Sequence, residues 1–243
     1  MRHRSEMFVW AAVTLGILVL GIGCGQRKNT GGMSSDKAAE LQALQEKREN
    51  RRKQLQGMTG NQLAQELASD STKGREPFNS SAYQETVSRG EGVAADLKQS
   101  LTRPDRSSLL TLLALRRVSA TEYHGLEPSL RVNILVSSLE ASQYFNTWGI
   151  PNDYWEDAAK ALIEEGAAAE PALIKLLADK RLAPVFGSEG ATISAKFHYR
   201  VCDYAWALLN EIRQKKVEIP ADPAERDQLI EKTLKEGSRP KHR

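Results

Sequence analysis

One pattern echoes twice in the chain, and it sets the tightest limit on what the chain can fold into. Thr86-Val87-Ser88-Arg89-Gly90 runs into Glu91-Gly92-Val93-Ala94-Ala95-Asp96-Leu97, with Leu101 closing the segment. Leu162-Ile163-Glu164-Glu165-Gly166 runs into Ala167-Ala168-Ala169-Glu170-Pro171-Ala172-Leu173, with Leu177 in the same place, offset by 76 positions throughout. Each copy reads as a helix, a helix-ending glycine, a short turn and a second helix. Gly90 and Gly166 stand where a left-handed backbone costs glycine little. A helix pair cannot bury its apolar face alone, so repeated pairs are expected to stack on one another.

Apolar spacing elsewhere agrees with an all-α body. In 199–213, Val201, Tyr204, Ala205, Leu208, Leu209 and Ile212 fall at offsets 0, 3, 4, 7, 8 and 11, one face of a helix. Tyr154, Ala158 and Leu162, with Trp155, Ala159 and Ile163, predict a second such stripe. Pro171 suits the first turn of a third helix, which buries Leu173, Leu176 and Leu177. Segments 107–118 and 130–139 are apolar on nearly every face and belong inside an assembly. Asp222, Pro223 and Glu225 carry the signature of a helix start, with Asp222 as cap. Within 61–236 no alternating run of strand length stands out.

The first residues read as an address. Met1-Arg2-His3-Arg4 gives a positive end, and the uncharged apolar run 8–23 is shorter than the roughly 20 residues a membrane span needs. It ends in Gly21-Ile22-Gly23-Cys24. This segment resembles a bacterial lipoprotein precursor, whose peptidase cuts before a cysteine that follows small residues. Gly23 fits that pattern, whereas Gly21 stands where Leu is usual and Leu20 lies one position earlier. The resemblance implies a signal peptide over 1–23 and a lipidated Cys24 carrying palmitate-type acyl chains. With Gly25 next, it implies an outer-membrane anchor facing the periplasm. Two other readings stay open: plain secretion, or an uncleaved signal-anchor helix in the inner membrane, with Arg2 and Arg4 in the cytoplasm. Once Cys24 is consumed by an anchor, Cys202 is the remaining thiol, and its apolar helical setting predicts a small buried hydrophobe.

From Cys24 to residue 60 the chain is expected to be a tether followed by a polar helix. Residues 26–35 are almost all polar or Gly, with no apolar period. Residues 36–56 favour helix but offer only Leu41, Leu44 and Leu55 as an apolar stripe, which predicts a solvated stalk. The basic run Arg51-Arg52-Lys53 reads as an exposed charged face, with contact to anionic lipid or cell wall as the other reading. Residues 237–243 form a short basic tail.

Within the body, Gly166, Pro171, Ala172, Leu173, Ile174, Leu176, Leu177 and Asp179 lie in the order of a known helical-repeat signature. Tyr199, Arg200, Val201, Cys202, Asp203, Tyr204, Ala205 and Leu209 follow as its second helix. The segment resembles HEAT-like repeats of the phycobilisome-lyase type; 80–118 resembles them more loosely, lacking the turn proline and the arginine. The resemblance implies a short α-α solenoid of helical hairpins, with Asp203 hydrogen-bonding to the preceding turn. Two connections, 144–155 and 180–198, are long for that fold, and long loops in compact domains are often functional. Their aromatic residues Phe145, Trp148, Tyr154, Trp155, Phe186 and Phe197 are the candidate partner contacts. A purely structural staple between repeat blocks is the other reading.

Signatures of catalysis are missing from the sequence. It contains no H-E-x-x-H, no Cys/His cluster at zinc spacing, no phosphate-binding glycine loop and no serine elbow in a strand–turn–helix setting. His198 with Asp203 reads as a structural pair, and Glu164-Glu165 as a solvated one. With Lys+Arg 34 against Asp+Glu 31, signs interspersed and a net charge of +3, no nucleic-acid footprint is present. The expectation is a lipid-anchored envelope scaffold or adaptor that binds another protein through a helical-repeat surface, with no enzyme activity, cofactor or metal. The alternatives are an enzyme of the HEAT-like lyase type and a spacer between membrane and cell wall.

Overall fold

The structure, a computed structural model, describes residues 35–141, 148–151, 153–183, 192 and 196–237. Cys24, Phe145, Phe186, the segment 1–34 and the tail 238–243 lie outside the described residues. The chain divides into two units, Met1–Leu44 and Gln45–Arg243. In the first, the described residues belong to a helix, and Leu41 and Leu44 are exposed.

Eleven α-helices are found among the described residues, so the body is all-α as its periodicity predicts. They are α1 (Ser35–Gln56), α2 (Gly60–Thr72), α3 (Ser81–Ser88), α4 (Ala94–Ser100), α5 (Leu109–Val118), α6 (Ala120–His124) and α7 (Pro128–Glu140). After them come α8 (Asp157–Glu164), α9 (Glu170–Leu176), α10 (Val201–Ile212) and α11 (Pro223–Gly237). Two short strands, β1 (Gly149–Ile150) and β2 (Tyr154–Trp155), pair antiparallel, with Gly149 opposite Trp155 and Ile150 opposite Tyr154.

Local chemistry sets the boundaries. Thr59 and Gln62 form a reciprocal cap on α2: the Gln62 N–H donates to Thr59 Oγ1 at 3.3 Å and the Thr59 N–H to Gln62 Oε1 at 2.8 Å. The far end of α2 then sets the starts of two other helices. Buried Asp70 accepts the Ser80 hydroxyl at 2.7 Å, and Ser80 Oγ accepts the Tyr83 N–H at 3.1 Å, capping α3. Ser71 Oγ accepts the Leu110 N–H at 2.9 Å at the head of α5. Asp222 caps α11, as its sequence predicts, by accepting the Ala224 N–H at 2.9 Å.

The duplicated stretch has the same local backbone in both copies. Gly90 (φ +59°) and Gly166 (φ +56°) are left-handed, and each opens a 3₁₀ turn, Gly90–Val93 or Gly166–Ala168, before a short helix. A Cβ at either glycine would meet nothing within 4 Å, so the dihedral rather than crowding demands glycine. Helices α2, α3 and α4 pack against α5; α8 and α9 pack against α10, with α7 against α8 and α9. The two groups meet where α5 packs against α7 and α8. Residues Leu109 to Leu115 of α5 are all buried, which explains its apolar composition on every face.

Three boundaries differ from the sequence reading. The body takes in the end of α1 and does not begin at 61: Leu55 is 1% exposed, Arg51 pairs with Glu66, and Arg89 reaches back to the α1 terminus. Its guanidinium donates to the carbonyls of Leu55 (2.7 Å), Gln56 (3.1 Å) and Met58 (2.6 Å), serving the acceptors a helix end leaves open. Tyr154 and Trp155 are strand residues rather than the start of a helical stripe, and α8 begins at Asp157. Finally, the connection 180–198 is closed at its base: Leu182 bridges Arg200, with Ala183 N–H to Tyr199 O and Val201 N–H to Arg181 O both at 2.9 Å.

Candidate functional site

A groove of about 680 Å³ lies where the β1–β2 hairpin faces the C-terminal half of α10. Its floor is Ala207 and Glu211, one helical turn apart, with Gln214 from the turn after the helix, and the alanine leaves room at one end. One wall is Asp153, Tyr154 and Trp155; the other is Lys215, Lys216, Val217 and Glu218.

Each wall has a local cause. Gly149 (φ +86°) makes the hairpin possible, since a Cβ there would lie 2.2 Å from the Tyr154 carbonyl oxygen and 2.9 Å from Trp155 Cα. Tyr204 of α10 donates its hydroxyl to the Gly149 carbonyl at 2.9 Å, fixing the hairpin to the helix that forms the floor. Successive strand residues point to opposite faces. Accordingly Tyr154 is 46% exposed, whereas Trp155 packs against the core and is half-buried. The opposite wall turns away from α10 by a Schellman motif: Lys215 N–H bonds Asn210 O and Gln214 N–H bonds Glu211 O, both at 2.9 Å. Gln214 takes the left-handed position at φ +55°, which glycine usually fills.

The head of α10 is held by an ionic cluster. Asp203, fully buried, accepts the Arg200 N–H at 2.9 Å and the Arg200 guanidinium at 2.9 and 3.1 Å. It also pairs with Arg226 Nε at 3.1 Å. Arg226, itself buried, donates to the carbonyls of Phe197, Pro220 and Ala221, and Arg200 continues to Asp227 at 2.8 Å. Asp203 therefore bonds to the turn before its helix, and its oxygens are committed to arginines; His198 sits exposed. Lys180 first, then Arg200, holds the Asp227 carboxyl below the usual carboxylate range.

The structure separates the six aromatic candidates. Tyr154 and Trp155 reach the groove. Trp148 is 1% exposed and belongs to the core, so the expectation that it contacts a partner is corrected: it is a staple beneath the hairpin. Phe197 is half-buried and stacks on Tyr199 with centroids 5.1 Å apart and planes 8° apart, outside the groove. Phe145 and Phe186 lie outside the described residues.

The Glu164-Glu165 expectation is also corrected for one member. Glu164 reaches an exposed ion pair with Arg116. Glu165, with a side chain 4% exposed, is buried against Arg131 and Tyr123. Sequence reasoning missed the second wall, 215–218, and the floor residues Glu211 and Gln214. The spacing of Ala207, Glu211 and Gln214 was the available signal, hidden because the opposite face carries the apolar stripe.

Cys202 is buried, and burial first, with the Asp203 carboxylate second, pushes its thiol up to about 11. Burial likewise raises Tyr83 and Tyr199 to about 12. These groups are neutral in the fold and titrate earlier when unfolded. Their contribution is complete below pH of about 8.5 and is lost as pH rises through 11 and 12. In a Cys24→Ala protein, iodoacetamide at pH 8 should therefore alkylate Cys202 at least about a hundredfold more slowly when native than in urea. A native rate near the unfolded one would show an accessible thiolate.

Among the described residues, no helix is long and apolar enough to cross a membrane, and no group of His, Cys, Asp or Glu is placed to hold a metal ion. Fold and groove together define a mostly helical protein with a surface cleft among its described residues. The chain matches no family model, no curated protein and no solved structure.

Proposed function

We propose that the protein is a lipid-anchored scaffold or adaptor of a bacterial cell envelope, held by Cys24 and presenting a HEAT-like α-solenoid surface to another protein without catalysing a reaction. The observation that carries this reading is the common backbone of the two copies, a helix ending at a left-handed glycine followed by a 3₁₀ turn and a short helix. Paired helices of this kind stack into extended contact surfaces. Exposed apolar residues on the body, Phe78 at 73% and Leu182 at 64%, supply the type of contact a protein partner uses. The anchor rests on the signal-like segment and the cysteine that ends it.

The test compares Cys24→Ala with the unmodified protein in a bacterial host by intact mass and membrane fractionation. A diacylglyceryl mass shift on the unmodified protein, lost with the substitution, supports the anchor. Equal membrane attachment of both forms with 1–23 retained overturns it. The adaptor half is tested with photo-crosslinking residues at Phe78 and Leu182. A discrete crosslinked partner, lost on Leu182→Asp or Phe78→Asp, supports it, and no discrete crosslink at either position overturns it.

A further inference from the structure

The groove between the hairpin and α10 has a chemistry that narrows what can occupy it. Its volume, about 680 Å³, lies within the range of small-ligand sites. Both signs of charge are present: Asp153, Glu211 and Glu218 against Lys215 and Lys216. Lys215 is partly neutralised by Glu236 at 3.9 Å. An anion entering here meets three carboxylates, and a cation meets two ammonium groups, so neither sign is well served. An aliphatic ligand would strip water from all five charges without giving a hydrogen bond in return.

A neutral ligand that both donates and accepts suits this lining, provided it also has an apolar face. The carboxylates accept from hydroxyls, the lysines donate to them, and the Gln214 amide does both. Tyr154 and Trp155 offer aromatic surface beside these groups, and Ala207 and Val217 add apolar floor and wall. A pyranose ring combines these properties: hydroxyls around its rim, and a face of C–H bonds that packs on an aromatic ring. A volume of about 680 Å³ leaves room for more than one linked ring.

We propose that this groove is a saccharide-binding site that takes a segment of a neutral oligosaccharide, with Tyr154 as the platform and Asp153, Glu211 and Gln214 as hydroxyl partners. The proposal does not rest on the adaptor reading: the groove is a property of the body alone and can be tested whether or not a protein partner is found.

The experiment titrates the purified protein with chitotetraose, cellotetraose and maltotetraose, following tryptophan fluorescence and amide NMR shifts. The expected result is saturable binding of at least one of them, with shifts confined to 153–155 and 207–218. Affinity should change less than twofold between 50 and 500 mM salt, because a neutral ligand leaves screening nothing to act on. Tyr154→Ala and Glu211→Gln, both at solvent-facing positions, should each weaken binding about tenfold or more while leaving the circular dichroism unchanged. Tetralysine and inorganic phosphate are the opposing probes. Saturable, salt-sensitive binding of either one in the groove, with no saccharide binding at 10 mM, overturns the proposal. So does saccharide binding that survives both substitutions.

Discussion

Replacing Glu165 by alanine should lower the stability of the fold by about 3–5 kcal/mol, one of the two largest single-site effects expected in this chain. Glu165 and Arg131 are an ion pair taken out of water, with side chains 4% and 7% exposed. The pairing is bidentate, Arg131 Nε to Glu165 Oε1 and its terminal nitrogen to Oε2, both at 2.7 Å, and the Tyr123 hydroxyl adds a third donor at 2.8 Å. Removing the carboxylate leaves the guanidinium buried with only the carbonyls of Tyr123, His124 and Leu126, which do not neutralise it. Urea denaturation followed by circular dichroism measures the loss. A companion double variant, Arg131→Met with Glu165→Leu, should recover most of it, because two apolar side chains of similar size carry no stranded charge. A loss below about 1 kcal/mol in the single variant would show that water screens the pair.

The second large effect belongs to Asp203→Ala, again about 3–5 kcal/mol, with a different pattern of damage. One carboxylate with no exposed surface compensates Arg200 and Arg226, and Arg226 is equally buried. Arg226 lies on α11, so this carboxylate also attaches the last helix to the body. What remains after its loss is the Asp227 pairing with Arg200 and Lys180, the Arg226 bond to the Phe197 carbonyl, the Trp206 Nε1–Thr233 hydrogen bond at 3.0 Å and the packing of Ile230. Hydrogen exchange should show α11 losing protection ahead of α5 and α10, a local release before global unfolding. Uniform loss across all helices would mean that α11 is held mainly by its apolar contacts. Asp203→Asn keeps the cap on the Arg200 N–H but not the charge, so it should fall between the two.

Much of the helical body could be read from the chain because its signals are local. The α11 start at Asp222 and Pro223, the interior character of α5 and α7, and the glycine-ended helices at Gly90 and Gly166 each depend on a few neighbouring residues. What was not legible depended on distant ones. Tyr154 and Trp155 continue the apolar spacing of α8 so well that periodicity extends the helix through them. Their strand conformation comes from pairing with Gly149 and Ile150, and nothing local reports that partner. Glu165 looks like a solvated surface carboxylate until Arg131, 34 positions earlier, is brought against it. The groove was half visible: its aromatic wall attracted attention by composition, while Glu211, Gln214 and the 215–218 wall carry ordinary polar residues that only the Schellman turn assembles.

The Arg89 contact gives the body a defined point of mechanical entry. A pull applied to the chain at Gln45 reaches the helical core along the rest of α1, and the last turn of that helix is where load is handed over. There one guanidinium grips the carbonyls of Leu55, Gln56 and Met58, Leu55 is sunk in the core, and Arg51 pairs with Glu66. A pull meets the Arg51–Glu66 pair first, then buried Leu55 and the three Arg89 bonds, all within two turns of chain. Arg89 itself is braced by Glu85 at 2.9 Å, which passes the strain into α3 and the first group of helices. A helical body built this way resists being unravelled from the α1 end: the joint transmits a tug as movement of the body before it yields as loss of structure.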